Sequence, residues 1–89
     1  MKFSIQVKNY GGQADNSKIW INEWEKRMAK KAQKCCNIGC GKVDNLVGGH
    51  IVKANGDPKE VYITPLCKSC NGLDPEEIYK VSVEDMMPL

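Results

Sequence analysis

The sequence has no long hydrophobic run, few aromatic residues and a single histidine. Its 89 residues include one Phe, two Trp and three Tyr. No apolar stretch approaches the roughly 20 residues that cross a bilayer, so we expect no membrane-spanning segment. The stretch from Met1 to Tyr10 is too polar for the apolar centre of a signal peptide, and we expect a cytoplasmic protein. Residues 1–89 are predicted to form one domain, whose apolar core is marginal at this size.

Charge is unevenly distributed along the chain. The formal net charge is +2, but residues 1–42 carry nine Lys or Arg against three acidic residues, whereas residues 43–89 carry four against eight. Five cations without an acidic residue among them fall in nine positions: Lys26, Arg27, Lys30, Lys31 and Lys34. These cations could stabilise the C-terminal end of a helix, or they could contact the phosphates of DNA or RNA. Both interpretations stay open.

The first third of the chain predicts a strand and then a helix. Apolar and polar residues alternate from Lys2 to Lys8, as in a half-buried strand, and Gly11-Gly12 then favours a turn. A helix is predicted over residues 17–34, with candidate N-caps at Asp15, Asn16 and Ser17. Four apolar side chains recur every fourth residue in it and predict a stripe packed against the core: Trp20, Trp24, Met28 and Ala32.

A β-hairpin is predicted for the centre of the chain. Residues 46–53 read as a strand with a glycine pair, 54–58 as a turn that contains Asn55-Gly56, and 60–64 as the returning strand. After it, Asp74-Pro75 is typical of a helix start, and we expect a short helical turn followed by a strand through Tyr79, Val81 and Val83. The chain thus divides into residues 1–34, 35–72 and 73–89.

Two cysteine pairs flank this hairpin. The chain has five cysteines, an odd number, and a closely spaced pair on either side of the hairpin indicates reduced thiols that bind a metal ion. Closing the hairpin brings four thiolates together, and tetrahedral zinc is the ion that such a set suits. We expect one structural Zn²⁺. A disulfide or unrelated buried thiols are the alternatives. The predicted zinc ligands are Cys36, Cys40, Cys67 and Cys70.

The first ligand is a choice between two neighbouring residues. Three residues separate Cys36 from Cys40, and four separate Cys35 from Cys40. Both spacings occur at zinc sites. Cys36 is preferred because the shorter loop ends in the turn-forming Gly39. Cys35 is then expected to be a small buried residue at the end of the helix.

Together these motifs resemble the HNH endonuclease family, whose fold is called ββα-metal. The resemblance covers residues 35–72 and rests on three segments: Cys36 to Cys40, Gly49-His50-Ile51-Val52, and Pro65 to Asn71. It implies an α+β fold, with a zinc-stapled ββα-metal core to which the N-terminal strand and helix are added. It also implies a nuclease in which a hairpin histidine activates water and a second divalent cation, Mg²⁺ or Mn²⁺, stabilises the leaving oxygen.

Two positions match the family's catalytic motif and two depart from it. The resemblance makes His50 the general base and Asn71 a ligand of the catalytic cation. However, Gly49 stands where the family has an Asp or His ligand, and Tyr62 stands where it has Asn. His50 could instead be a zinc ligand or a packed strand residue, and Asn71 could cap a turn.

Two classes of function follow from these departures. One is a metal-dependent nuclease, completed by Asp44 or Asp57. The other is a zinc module without catalytic activity that binds nucleic acid or a protein partner. Gly49 favours the second class.

Overall fold

The fold is α+β, as the sequence predicts, and is built on a five-stranded antiparallel sheet. The computed structural model describes residues 3–11 and 17–89, so the predictions at Met1, Lys2, Gly12, Asp15 and Asn16 lie outside the described residues. The elements in chain order are β1 (Ser4–Asn9), α1 (Ser17–Met28), β2 (Leu46–Lys53), β3 (Val61–Cys67), α2 (Lys68–Asn71), β4 (Tyr79–Ser82), a 3₁₀ turn (Val83–Asp85) and β5 (Met87–Pro88).

The predicted hairpin forms the centre of the sheet. Strands β2 and β3 pair from Leu46 with Cys67 to Val52 with Val61, and the strand order is β4-β1-β2-β3-β5. Because side chains alternate along a strand, the sheet has two packed faces. One face buries an apolar cluster to which four strands and three cysteines contribute: Val7, Cys35, Ile51, Leu66, Cys67, Cys70, Val81 and Met86. The other face packs against α1 through Trp24, Ile63 and Met87.

The sheet is strongly curled, and residues 35–42 close it. The backbone N–H of Cys36 donates to the carbonyl of Pro65 on β3, and that of Ile38 donates to Lys80 on β4. In a flat sheet with this register those two carbonyls would lie about 25 Å apart. Two residues of chain and two hydrogen bonds span at most about 13 Å. Strands β3 and β4 therefore curve towards each other around the apolar cluster.

Helix α1 packs through the predicted stripe but ends earlier than predicted. Trp24 is 2 % exposed, and Trp20, Met28 and Ala32 pack beside it. The helix ends at Met28 because Ala29 adopts a left-handed conformation with φ 56°. The N–H of Lys30 then donates to the carbonyl of Glu25, and the N–H of Ala32 donates to the Glu25 carboxylate. Residues 30–34 consequently form a loop.

The C-terminal third contains the predicted strand but not the predicted helix start. The Asp74 carboxylate accepts the N–H of Glu76, and the Asp74 carbonyl accepts that of Glu77, which makes a turn. Strand β4 follows at Tyr79–Ser82, so Val83 lies in the 3₁₀ turn and not in the predicted strand. Helical structure comes instead at α2, directly after β3, and in the 3₁₀ turn after β4.

Candidate metal centre

The second cysteine pair lies where β3 runs into α2. Cys67 is the last residue of β3 and caps α2, and its Sγ accepts the backbone N–H of Cys70 at 3.4 Å. Pro65 and Leu66 before it are buried, so the strand enters this turn from the core. Both thiols of the pair are buried, Cys67 at 2 % and Cys70 at 7 % exposure.

The first cysteine pair lies on a tight loop that Asn37 organises. The backbone carbonyl of Asn37 accepts the N–H of Cys40, and the side-chain oxygen of Asn37 accepts the N–H of Gly39 at 3.0 Å. Gly41 completes the turn with φ 76°, a conformation that a residue without Cβ adopts readily. The amide nitrogen of Asn37 donates to the Sγ of Cys70 at 3.4 Å. One side chain therefore joins the two cysteine pairs.

Four thiols from the two pairs converge. The Sγ atoms of Cys35, Cys40, Cys67 and Cys70 all lie within 4.8 Å of one another. A tetrahedral ion with Zn–S bonds of about 2.3 Å requires sulfur–sulfur distances of about 3.8 Å. The distance between the Sγ atoms of Cys40 and Cys67 is 3.8 Å. The cluster therefore has the composition and size that suit structural zinc.

The cluster contains Cys35, which corrects the choice of Cys36 as the first ligand. Successive side chains of an extended segment point in opposite directions. Cys35 is 1 % exposed and faces the thiol cluster. Cys36 is fixed on β3 by its bond to Pro65, and its Sγ lies 3.8 Å from the carbonyl of Lys34. The left-handed conformation that completes this turn belongs to Gly41, directly after Cys40, and not to Gly39.

Three thiols of the cluster differ in their tendency to ionise. Burial raises the pKa of Cys35, and it raises the pKa of Cys70 to about 12. Burial also opposes ionisation of Cys67, but hydrogen bonds from Cys70 and from the neighbouring thiols outweigh it and lower the pKa of Cys67 to about 7. A metal ion binds the thiolate form. Binding here must therefore displace protons from Cys35 and Cys70.

His50 lies on the other face of β2, beneath α1. Its ring makes an edge contact with Trp20 at 5.7 Å between centroids and lies 6.4 Å from Tyr10. The side chain is 8 % exposed, and Nδ1 has no hydrogen-bond partner among residues 3–11 and 17–89. Burial lowers the pKa of His50. Of the roles considered for His50, this geometry fits that of a packed strand residue.

Gly49 and Asn71 meet on the face that carries the cysteines. A Cβ at Gly49 would lie 3.0 Å from Oδ1 of Asn71 and would overlap the end of the Leu66 side chain. A carboxylate would fit there only if Leu66 moved. Because neighbouring residues of β2 point to opposite faces, Asn71 and His50 are separated by the sheet. The two residues assigned to catalysis by resemblance are not brought together.

The two acidic residues considered as additional ligands have local roles. Asp57 is at the tip of the hairpin, where its carboxylate accepts the N–H of Lys59 at 2.9 Å. Asp44 lines a shallow cleft with Lys42 and Lys68. Neither residue is part of the thiol cluster.

The five cations that were considered for nucleic-acid binding are all exposed. Lys26 and Arg27 lie in the last turn of α1, and Lys30, Lys31 and Lys34 follow in the loop. Arg27 pairs with Glu23 at 3.1 Å. Lys30 pairs with Asp85 at 3.0 Å, and that hydrogen bond raises the pKa of Lys30. Only Lys26 and Arg27 lie within the helix, where the helix dipole favours them.

Comparisons with known proteins found no relative: no family model, no curated protein and no solved structure matches this chain. Within the described residues, no helix has the length and apolar character needed to cross a membrane.

Two side chains that donate hydrogen bonds to Cys70 escape the sequence motifs: Asn9, which binds its carbonyl, and Asn37, which binds its Sγ. The alternation that points Ile5 and Val7 into the core also points Asn9 there, and a polar residue at an inward position of a strand is the signal that could have found it. Asn37 lies between two cysteines, where a side chain that can bond its own backbone favours a turn.

Proposed function

We propose that this chain is a zinc-binding domain in which Cys35, Cys40, Cys67 and Cys70 hold a structural Zn²⁺. The observation that carries the proposal is the convergence of four thiols within 4.8 Å. They come from two pairs, one of which precedes the central hairpin in sequence while the other begins at its last residue. Four protein ligands complete a tetrahedron and leave no position for water, which is typical of a structural rather than a catalytic zinc site.

The position of the cluster supports a role in stabilising the fold. The first cysteine pair belongs to the segment that closes the curled sheet, and the second pair ends its central hairpin. A metal ion at this point would fix residues 35–42 against β3 and α2. Small domains need such a cross-link because their apolar core alone provides little stability.

The neighbouring residues Cys35 and Cys36 provide a matched test. We expect native mass spectrometry to find one zinc per chain, which Cys36→Ser retains and Cys35→Ser loses or binds far more weakly. Both variants remove one thiol from the same loop, but only the thiol of Cys35 belongs to the cluster. Equal zinc retention by the two variants, or a wild-type chain that binds none, would contradict the proposal.

A second proposed property is nucleic-acid binding by residues 26–34. Its support is that five cations are exposed in one run, and that the run leads directly into Cys35. The metal cluster would thus anchor one end of a basic loop. Lysine and arginine clusters of this kind bind phosphate backbones with little regard to sequence.

Salt dependence and charge reversal test this second property. We expect zinc-loaded protein to bind duplex DNA or RNA with an affinity that falls steeply as salt rises. The double variant Lys31→Glu/Lys34→Glu should abolish binding. The control Lys59→Glu/Lys80→Glu makes the same change in net charge at exposed sites in the other half of the chain. Equal loss in both variants, or no binding at low salt, would refute a specific basic surface.

The structure gives no geometric support to HNH-type cleavage. The base would be His50, which is buried beneath α1, and the cation ligand would be Asn71, on the opposite face of β2. A carboxylate at the position before the base would have to displace the end of Leu66. We therefore propose a binding domain rather than a nuclease that uses Mg²⁺ or Mn²⁺.

A further inference from the structure

One buried amide on β1 holds the backbone around the second cysteine pair. Asn9 is 6 % exposed, and its Nδ2 lies 2.9 Å from the carbonyl oxygen of Cys70, 3.2 Å from that of Asn71 and 3.0 Å from that of Leu73. These carbonyls are more than 60 positions away in sequence. They belong to the chain as it turns out of α2, immediately after the last thiol of the cluster.

Tyr79 determines which way this amide faces. Its hydroxyl donates to Oδ1 of Asn9, so the nitrogen end of the amide is directed at the three carbonyls. Carbonyls only accept hydrogen bonds, so the reversed amide would remove the side-chain donor from all three. Tyr79 is on β4, where it pairs with Val7 of β1, and Val7 and Asn9 are the two buried residues of β1. The arrangement thus spans β4, β1 and the second cysteine pair.

Cys70 is consequently held from both ends. Asn9 binds its carbonyl, and Asn37 donates to its Sγ. The direction of a ligand's side chain depends on the orientation of its backbone, and groups that bond metal ligands commonly set their orientation and affinity. Asn37 belongs to the same loop as two of the thiols. Asn9 comes from a different part of the chain.

We propose that Asn9 is a positioning residue of the metal centre, which holds the Cys70 backbone in place for binding while Tyr79 orients its amide. This inference rests on the proposed function. It connects the N-terminal strand to the thiol cluster, although no cysteine lies within 25 residues of Asn9. Metal binding and the docking of β1 then stabilise each other.

Cobalt substitution in the full chain tests the proposal, because the visible absorption of Co²⁺ reports the geometry of its ligands. The variant Asn9→Leu keeps a similar volume and removes the donor. We expect it to shift and weaken the Co²⁺ absorption bands and to raise the dissociation constant by roughly 10-fold to 100-fold. Tyr79→Phe keeps the ring, and we expect a smaller change in the same direction.

Val7→Ala is the matched control. It removes buried volume from the apolar cluster that also contains Cys67 and Cys70, but it removes no hydrogen bond to them, so it should lower stability and leave the Co²⁺ spectrum unchanged. Wild-type bands in Asn9→Leu, or in Tyr79→Phe if Asn9→Leu does not fold, would overturn the positioning role. A wild-type chain that gives no thiolate–cobalt absorption would instead overturn the zinc-binding function on which this role rests.

Discussion

The Sγ atoms of Cys40 and Cys67 lie 3.8 Å apart across a thiol cluster in which Cys40 is exposed and Cys67 is buried. Cys40 precedes the central hairpin and Cys67 is its last residue. An ion between them, bound by all four residues as thiolates, would maintain their approach. The cluster therefore links metal content to folding.

Removal of the metal should unfold the protein. Structural zinc contributes on the order of 10 kcal/mol in small domains, which is comparable to the whole stability of a typical domain. We expect chelation to abolish the circular dichroism of the sheet and to shift the emission of buried Trp24 towards that of exposed indole. Added Zn²⁺ should restore both signals. A chelated chain that keeps its sheet spectrum would show that the apolar clusters suffice.

Two adjacent glycines should respond differently to a methyl group. A Cβ at Gly49 would meet the movable end of Leu66, but a Cβ at Gly48 would lie 2.5 Å from the backbone nitrogen of Ile21 in α1. We expect Gly49→Ala to cost about 1–3 kcal/mol and Gly48→Ala more, because a helix cannot yield as a side chain does. Urea unfolding of zinc-loaded protein measures both. Gly11→Ala, whose Cβ meets only an ordinary contact at 3.7 Å, is the control.

Ala29 offers a position at which the chain can be stabilised. It ends α1 with φ 56°, a conformation that is strained for alanine and relaxed for glycine. We expect Ala29→Gly to raise the free energy of unfolding by about 1 kcal/mol. Asn45 has φ 55°, but asparagine tolerates this conformation, so Asn45→Gly should change little. A destabilised Ala29→Gly would mean that the helix end gains more from the methyl group than it loses in strain.

His50 should titrate below the ordinary histidine pKa of 6.5, because burial disfavours its charged form. It is the only histidine, so its ring signals in NMR can be assigned without ambiguity. Between the lowered folded pKa and 6.5 the unfolded chain binds more protons than the folded one. The contribution of His50 to stability should therefore fall as pH decreases through that interval and should level off below it.

The variant His50→Phe isolates this contribution. It keeps a ring beneath α1 and removes the titrating group, so the difference in stability between the two proteins should change with pH only in that interval. A measured pKa at or above 6.5 would show that His50 is exposed to water or paired with an anion.

Local patterns were enough to predict the hairpin and the tryptophan stripe. The alternation of apolar residues and the Asn55-Gly56 turn determine β2 and β3 without reference to the rest of the chain. The end of α1 could not be predicted in this way. No glycine or proline marks it, and the carboxylate of Glu25 ends the helix by accepting the N–H of Ala32 across seven positions. A hydrogen bond of this kind leaves no signal in the apolar pattern of the helix.

The metal centre was predictable as a type of site but not in full detail. Spacing alone identifies two cysteine pairs, but it cannot distinguish Cys35 from Cys36, since the choice depends on which of them faces inward once residue 36 pairs with Pro65. The role of Asn9 depends on contacts across more than 60 positions. Neither relation leaves a repeat or a motif in the sequence.

The segment that closes the curled sheet also covers edges that would otherwise be open. Its N–H groups at Cys36 and Ile38 occupy carbonyls on β3 and β4 that no neighbouring strand uses. Exposed strand edges pair readily with those of other molecules. If loss of the ion frees residues 35–42 before the sheet unfolds, each chain briefly presents two such edges at once, and such copies can join into extended β-aggregates. The ion that completes the fold would then also keep the protein from polymerising.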